Sequence, residues 1–170
     1  MIKNRICTGL LIIICFLLQT TVFHGIALAG VVPNLMLILT VSIAYMRGRT
    51  EGLIIGLICG LLFDMQFGNV IGLYGFIYMA IGFVIGYCQK VYFTDEYILP
   101  LVLISISDFV YGIYYYIVEF LLRGRLHFGF YLWRVILPEL IYTLVVSIIL
   151  YRFFLFLEKK LRKKEKKEVA

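Results

Sequence analysis

Charge is scarce in this chain. Aspartate, glutamate, lysine and arginine make up 15% of its 170 residues, against about 25% in an ordinary soluble domain. That shortage excludes a soluble globular fold. Histidine occurs twice, as the well-separated His24 and His127, which make no metal site between them. The four cysteines, Cys7, Cys15, Cys59 and Cys88, lie in or beside apolar segments without metal-ligand spacing, and read as buried, inert thiols. No nucleophile–base arrangement, phosphate-binding loop or metal motif occurs. The expectation is a protein that is no enzyme and carries no cofactor or metal.

Basic charge is also missing from most of the chain. The net charge of +6 is concentrated in one tail, where seven lysines and arginines fall between Lys159 and Lys167. Without those seven the chain is slightly negative, so no basic face exists elsewhere for nucleic acid. A basic cluster directly after an apolar segment reads instead as an anchor to anionic lipid headgroups, here through Lys159, Lys160, Arg162, Lys163 and Lys164.

Apolar residues are abundant. They form 63% of the sequence, and the mean hydropathy is +1.00. Such a chain is an integral membrane protein. Its apolar runs are continuous rather than alternating, which selects helices over a barrel. At this length about six spans of ~20 residues fit, with short loops. The breaks carry glycine, proline or charge, and they place spans at 6–28, 32–46, 52–67, 69–88, 98–122 and 133–157. Residues 1–157 then form one transmembrane domain and 158–170 a basic cytoplasmic tail. Lys3 and Arg5 precede a 23-residue apolar run, longer than a signal-peptide core, so the first segment reads as a retained span. Spans two and three reach only about 24 Å, short of a ~30 Å hydrocarbon core. They either cross partially or sit in thinned bilayer. With both termini inside, thirteen basic residues are cytoplasmic and three, Arg123, Arg125 and Arg134, lie outside, in keeping with the positive-inside rule.

Eight of the fifteen glycines crowd between Gly52 and Gly86, where each weakens a helix by about 1 kcal/mol against alanine. Gly52, Gly56, Gly60 and Asp64 lie four apart. Gly68, Gly72, Gly75, Gly82 and Gly86 fall within an arc of roughly 80° at 100° per residue. Small residues at helical spacing let membrane helices approach closely. The second row is the more convincing groove, because the first drifts around its helix. Whether the groove takes the chain's own helices or a partner's stays open, internal packing being the safer expectation.

Asp64 has two readings: a helix-end carboxylate accepting hydrogen bonds from the following turn, or a polar contact fixing a partner. In the fifth span, Asp108, Tyr111, Gly112, Tyr115 and Glu119 share an arc of about 100°. A carboxylate half-way along a span must face protein, partner or water. Structural hydrogen bonding and proton or cation coupling would both need this stripe. Glu119 and Arg123 are spaced for a helix pair, and Glu139 could join Arg123, Arg125 or Arg134 in an outer charge cluster, unless the arginines simply snorkel. Gln19 and His24 read as local hydrogen-bonders.

Several patterns occur in order along the chain: LLQTTVF closing the first span, Val32-Pro33-Asn34-Leu35 opening the second, GLICGLLFD, the glycine groove, Leu137-Pro138-Glu139 opening the last span, and the basic tail. In this order and at this size the chain resembles the MreD family of bacterial rod shape-determining membrane proteins over essentially its whole length. The resemblance implies a non-enzymatic scaffold of the cell-elongation machinery. Its partners would be an MreC-like single-span protein, the MreB cytoskeleton, a RodA-type glycosyltransferase and a transpeptidase. It also implies a fold similar to the substrate-binding subunits of energy-coupling-factor transporters. A transporter subunit is therefore the alternative reading, with the Asp108 stripe lining a small-molecule pocket. A first outer loop too short for a lid, and no Ala-x-x-x-Ala ridge in span one, favour the scaffold.

Overall fold

The computed structural model describes residues 2–22, 25, 31–67, 72–89, 98–118 and 128–169. Helix α1 (Ile2–Leu17) continues as a π-helical turn, Leu18–Val22. Four more helices follow: α2 (Leu35–Arg47), α3 (Arg49–Phe67), α4 (Leu73–Cys88) and α5 (Ile98–Tyr116). A short turn, Phe128–Tyr131, and a π-helical stretch, Leu132–Ile136, lead into the long α6 (Leu137–Val169). The fold is an all-α membrane bundle of six principal helices. The segments Arg5–Val22, Ile98–Tyr116 and Gly129–Leu161 are long and apolar enough to cross a bilayer.

Helix α2 forms the axis. Its sequence LMLILTVSIAYMR is apolar all round, the pattern of a helix that meets no solvent, and Leu35 through Ala44 are all buried. The other five helices pack against it. At 13 residues α2 is about 20 Å long, and because protein surrounds it, its length need not match the hydrocarbon core. Thr40 and Ser42 return their hydroxyls to Met36 O and Ile38 O, at 2.9 and 2.6 Å, so neither leaves an open polar group in the core. The outer faces of α1, α3, α4, α5 and α6 carry the exposed apolar residues, among them Leu10, Ile58, Phe76, Ile106 and Ile149. They supply the lipid-facing surface.

Gly48 alone separates α2 from α3. Its φ of +98° lies where a side chain is strained. The turn lets α3 start at once, with Gly48 N donating to Ala44 O at 2.8 Å. Helices α3 and α4 then form the closest pair in the bundle. A Cβ added to Gly52 or Gly56 would strike the carbonyl oxygen of Gly82 or Tyr78. One added to Gly60 would lie 2.6 Å from Gly75 Cα, and one added to Gly86 would meet Arg49 Cα.

Two expectations about the glycines need correction. The Gly52–Gly60 row drifts around its helix but meets α4 at every step, because a row of residues four apart runs obliquely to the axis and follows a crossing neighbour. Gly72 is no part of the groove: it precedes α4 in a left-handed conformation, φ +103°, and a Cβ there would meet nothing within 4 Å. Gly68 lies outside the described residues. Helix α4 accordingly starts at Leu73 rather than near residue 69.

At the other end, α6 spans 33 residues, about 50 Å, well beyond a hydrocarbon core of ~30 Å. The residues expected as a tail thus continue the helix backbone to Val169, with Lys159 and Lys160 exposed.

Candidate functional site: interior polar joints and a charge clamp

Three polar clusters fasten the helices. The first caps α4. The N-terminus of any helix leaves backbone N–H groups without partners, and Gly72 has no side chain to satisfy them. Asp64, one turn from the end of α3 and 1% exposed, does so across the hairpin. Its Oδ2 accepts from Gly72 N at 3.0 Å and Gly75 N at 2.8 Å, and its Oδ1 from Tyr74 N at 3.0 Å. The carboxylate also faces the positive end of the α4 dipole. This arrangement matches the hydrogen-bonding reading of Asp64, with both oxygens committed to the chain's own backbone.

The second cluster lies at the start of α2. Asn34 caps that helix, its Oδ1 accepting from Leu37 N at 3.1 Å and from the Tyr78 hydroxyl at 2.6 Å. Asn34 N donates to Thr143 Oγ1 at 3.2 Å, and Met36 N donates to Gln19 Oε1 at 3.1 Å. Gln19 is therefore an inter-helix contact rather than a local one. Thr143 also hydrogen-bonds to Asp108, and Glu139, one turn earlier on α6, interacts electrostatically with Asp108. Helices α1, α2, α4, α5 and α6 thus meet at one polar knot.

The fifth-span stripe faces this interior. Asp108 and Tyr111 are buried, and Gly112 packs on Ile136. Tyr115 stacks between Tyr74 and Tyr131, with ring centroids 6.0 and 6.2 Å away. Phe63, Tyr74, Tyr78 and Tyr111 fill the adjoining space with mutual ring contacts. Glu119, Arg123 and Arg125 lie outside the described residues. The proposed grouping of Arg134 with Glu139 is corrected: Arg134 is exposed beside the exposed Trp133, in the manner of an interfacial arginine, whereas Glu139 is half-buried, on the Thr143 face of α6, and its charge acts on Asp108.

The third cluster was not anticipated. Arg47, at the end of α2, donates from Nη2 to Glu158 Oε2 at 2.7 Å and from Nε to the same oxygen at 3.0 Å. Its Nη1 donates to Thr8 Oγ1 at 2.8 Å and to Glu51 Oε2 at 3.3 Å. One guanidinium so joins α1, α2, α3 and α6, using the fork geometry that suits arginine to such a role. The Arg47/Glu51 spacing of four residues was a visible signal. Nothing local marks Glu158 as the partner of a residue 111 positions earlier. Asn34 carried a signal too, since Pro-Asn before an apolar run reads as a helix start.

Fold and clusters define a class: an integral membrane helical bundle whose interior polar groups chiefly join helix to helix. The family model for rod shape-determining protein MreD matches residues 2–161. The chain belongs to the MreD family, a family of shape-determining structural membrane proteins. No curated protein and no solved structure matches it.

Proposed function

We propose that this chain is a non-enzymatic scaffold subunit of the bacterial cell-elongation complex. It spans the cytoplasmic membrane several times, with both termini on the cytoplasmic side. In this reading it binds an MreC-like single-span protein and helps couple the MreB cytoskeleton to peptidoglycan synthesis by a RodA-type glycosyltransferase and its transpeptidase. The observation that carries the reading is the family match along residues 2–161. The interior supports it as well: the aromatic rings of Tyr74, Tyr78 and Tyr111, on the face of α5 that carries Asp108, pack against one another rather than standing apart.

The orientation rests on the charge clamp. Thr8 near the start of α1 and Glu158 late in α6 both meet Arg47, so the two ends share a side. Arg5, Arg49, Lys159 and Lys160 belong to that side, and a basic surface faces the cytoplasm. Lys159 and Lys160, with Arg162, Lys163 and Lys164 further along, would hold α6 against anionic headgroups, each contributing about 1 kcal/mol near the surface.

Co-purification with the cognate MreC from detergent-solubilised membranes tests the proposal, paired with depletion of this chain in cells. The expected outcome is a stable complex, with rounded, widened cells on depletion. Failure to co-purify together with unchanged rod shape would refute it.

A further inference from the structure

The knot between α2, α5 and α6 holds more carboxyl groups than its hydrogen bonds use. Asp108 is 3% exposed and Asn34 2%, and each leaves one polar atom without a partner: Asp108 Oδ1 and Asn34 Nδ2. The two residues are linked through Thr143, whose hydroxyl accepts from Asn34 N at 3.2 Å and hydrogen-bonds to Asp108. An open donor and an open acceptor within two hydrogen bonds of each other form the polar setting in which a buried water resides.

Glu139, half-buried and one turn before Thr143 on the same face of α6, adds a second carboxyl group whose charge reaches the first. Two ionised carboxylates within electrostatic reach of each other and largely withdrawn from water repel. Among the described residues, the other titratable groups whose charge reaches the pair are Tyr78 from α4 and Tyr111 from α5, hydroxyls rather than cations. Helix α2 contributes Asn34 and its own N-terminus, whose partial positive charge accommodates about one negative charge rather than two.

We propose that Asn34, Asp108, Glu139 and Thr143 form a proton-binding site in the membrane interior. The two carboxyl groups hold one proton between them, and one water molecule joins Asn34 Nδ2 to Asp108 Oδ1. Loss of that proton would set two negative charges between α5 and α6 and loosen their seating on α2. The site is thus a protonation-sensitive joint at the centre of the bundle.

Infrared difference spectroscopy on the full chain in lipid nanodiscs tests this through the C=O stretch of a protonated carboxyl group. In the wild type that band is present at neutral pH and disappears on alkaline titration. It is missing from the Asp108→Asn, Glu139→Gln double variant. Either single variant removes the repulsion, so the remaining carboxyl loses its proton at a proton concentration about tenfold higher or more, a change that a purely structural role would not produce. The proposal is overturned if the wild type lacks the band at neutral pH, if the double variant retains it, or if both single variants titrate as the wild type does. It is overturned equally if sodium in place of potassium abolishes the band at fixed pH, since a metal cation would then balance the charge. The wild-type titration and the sodium exchange decide the question even if a variant fails to fold.

Discussion

Replacing Gly60 by alanine should destabilise the bundle even though alanine is the better helix former. The new Cβ would lie 2.6 Å from both Gly75 Cα and Tyr74 O, where an ordinary contact needs about 3.5 Å or more. Helices α3 and α4 must therefore separate by roughly 1 Å locally. A gap of that size forfeits a quarter to a half of each dispersion contact it opens. Both obstructing atoms are backbone, so no side chain can rotate away, and the overpacking penalty falls near the upper end of the ~1–3 kcal/mol range. Helix propensity returns about 1 kcal/mol, leaving a net loss of about 2 kcal/mol. Gly9 is the matched control. It too lies within a helix, but a Cβ there meets nothing within 4 Å, so Gly9→Ala should be neutral or stabilising by up to about 1 kcal/mol. Reversible unfolding of the purified chain in mixed micelles, followed by circular dichroism, measures both. Equal stability of the two variants would refute the close-packing account of α3 and α4.

Asp64→Asn keeps the shape of the cap but replaces one acceptor by a donor facing backbone N–H groups. A loss of about 1–3 kcal/mol is expected, with faster amide exchange confined to the first turn of α4; exchange unchanged there would remove Asp64 as its cap. Arg47→Met should cost about 3 kcal/mol by removing the guanidinium that balances the buried Glu158, and Arg47→Met with Glu158→Leu should recover most of it. If the double variant is as unstable as the single one, the clamp is not a pairwise interaction. Gly48→Ala forces an L side chain to φ +98°, costing about 1–3 kcal/mol; a melting temperature equal to wild type would show that the α2–α3 junction can relax.

Much of the architecture was legible because its cause is composition. A long apolar chain in a bilayer must satisfy its backbone internally, and continuous apolar runs leave helices as the solution. The glycine-rich hairpin was legible for a similar reason, since glycines at helical spacing have a cost that only close packing offsets. The row from Gly52 to Gly60 drifts only against the axis of its own helix. The partner crosses obliquely, and the drift tracks it.

Asp64, Asp108 and Tyr111 stood out as polar residues in apolar surroundings, but their partners did not. Asp64 meets Tyr74 N, ten residues on, while Arg47 meets Glu158 across 111 positions. Glu139 illustrates the limit most clearly. Its neighbourhood in the sequence suggested Arg134, yet Arg134 is exposed and the charge of Glu139 acts on Asp108.

The sequence by itself determined that this is a helical membrane protein, that its basic charge gathers at one end, and that the segment from Gly52 to Gly86 carries glycines spaced for close helix packing. These follow from hydropathy, charge count and helical period, which act locally along the chain. Only the tertiary structure decided that α2 is the wrapped axis, that Arg47 clamps four helices, and that the charge of Glu139 reaches Asp108 beside Asn34. Each depends on which helix lies next to which, and in a bundle of uniformly apolar helices that choice is made by the few polar side chains whose desolvation only the correct neighbour can offset.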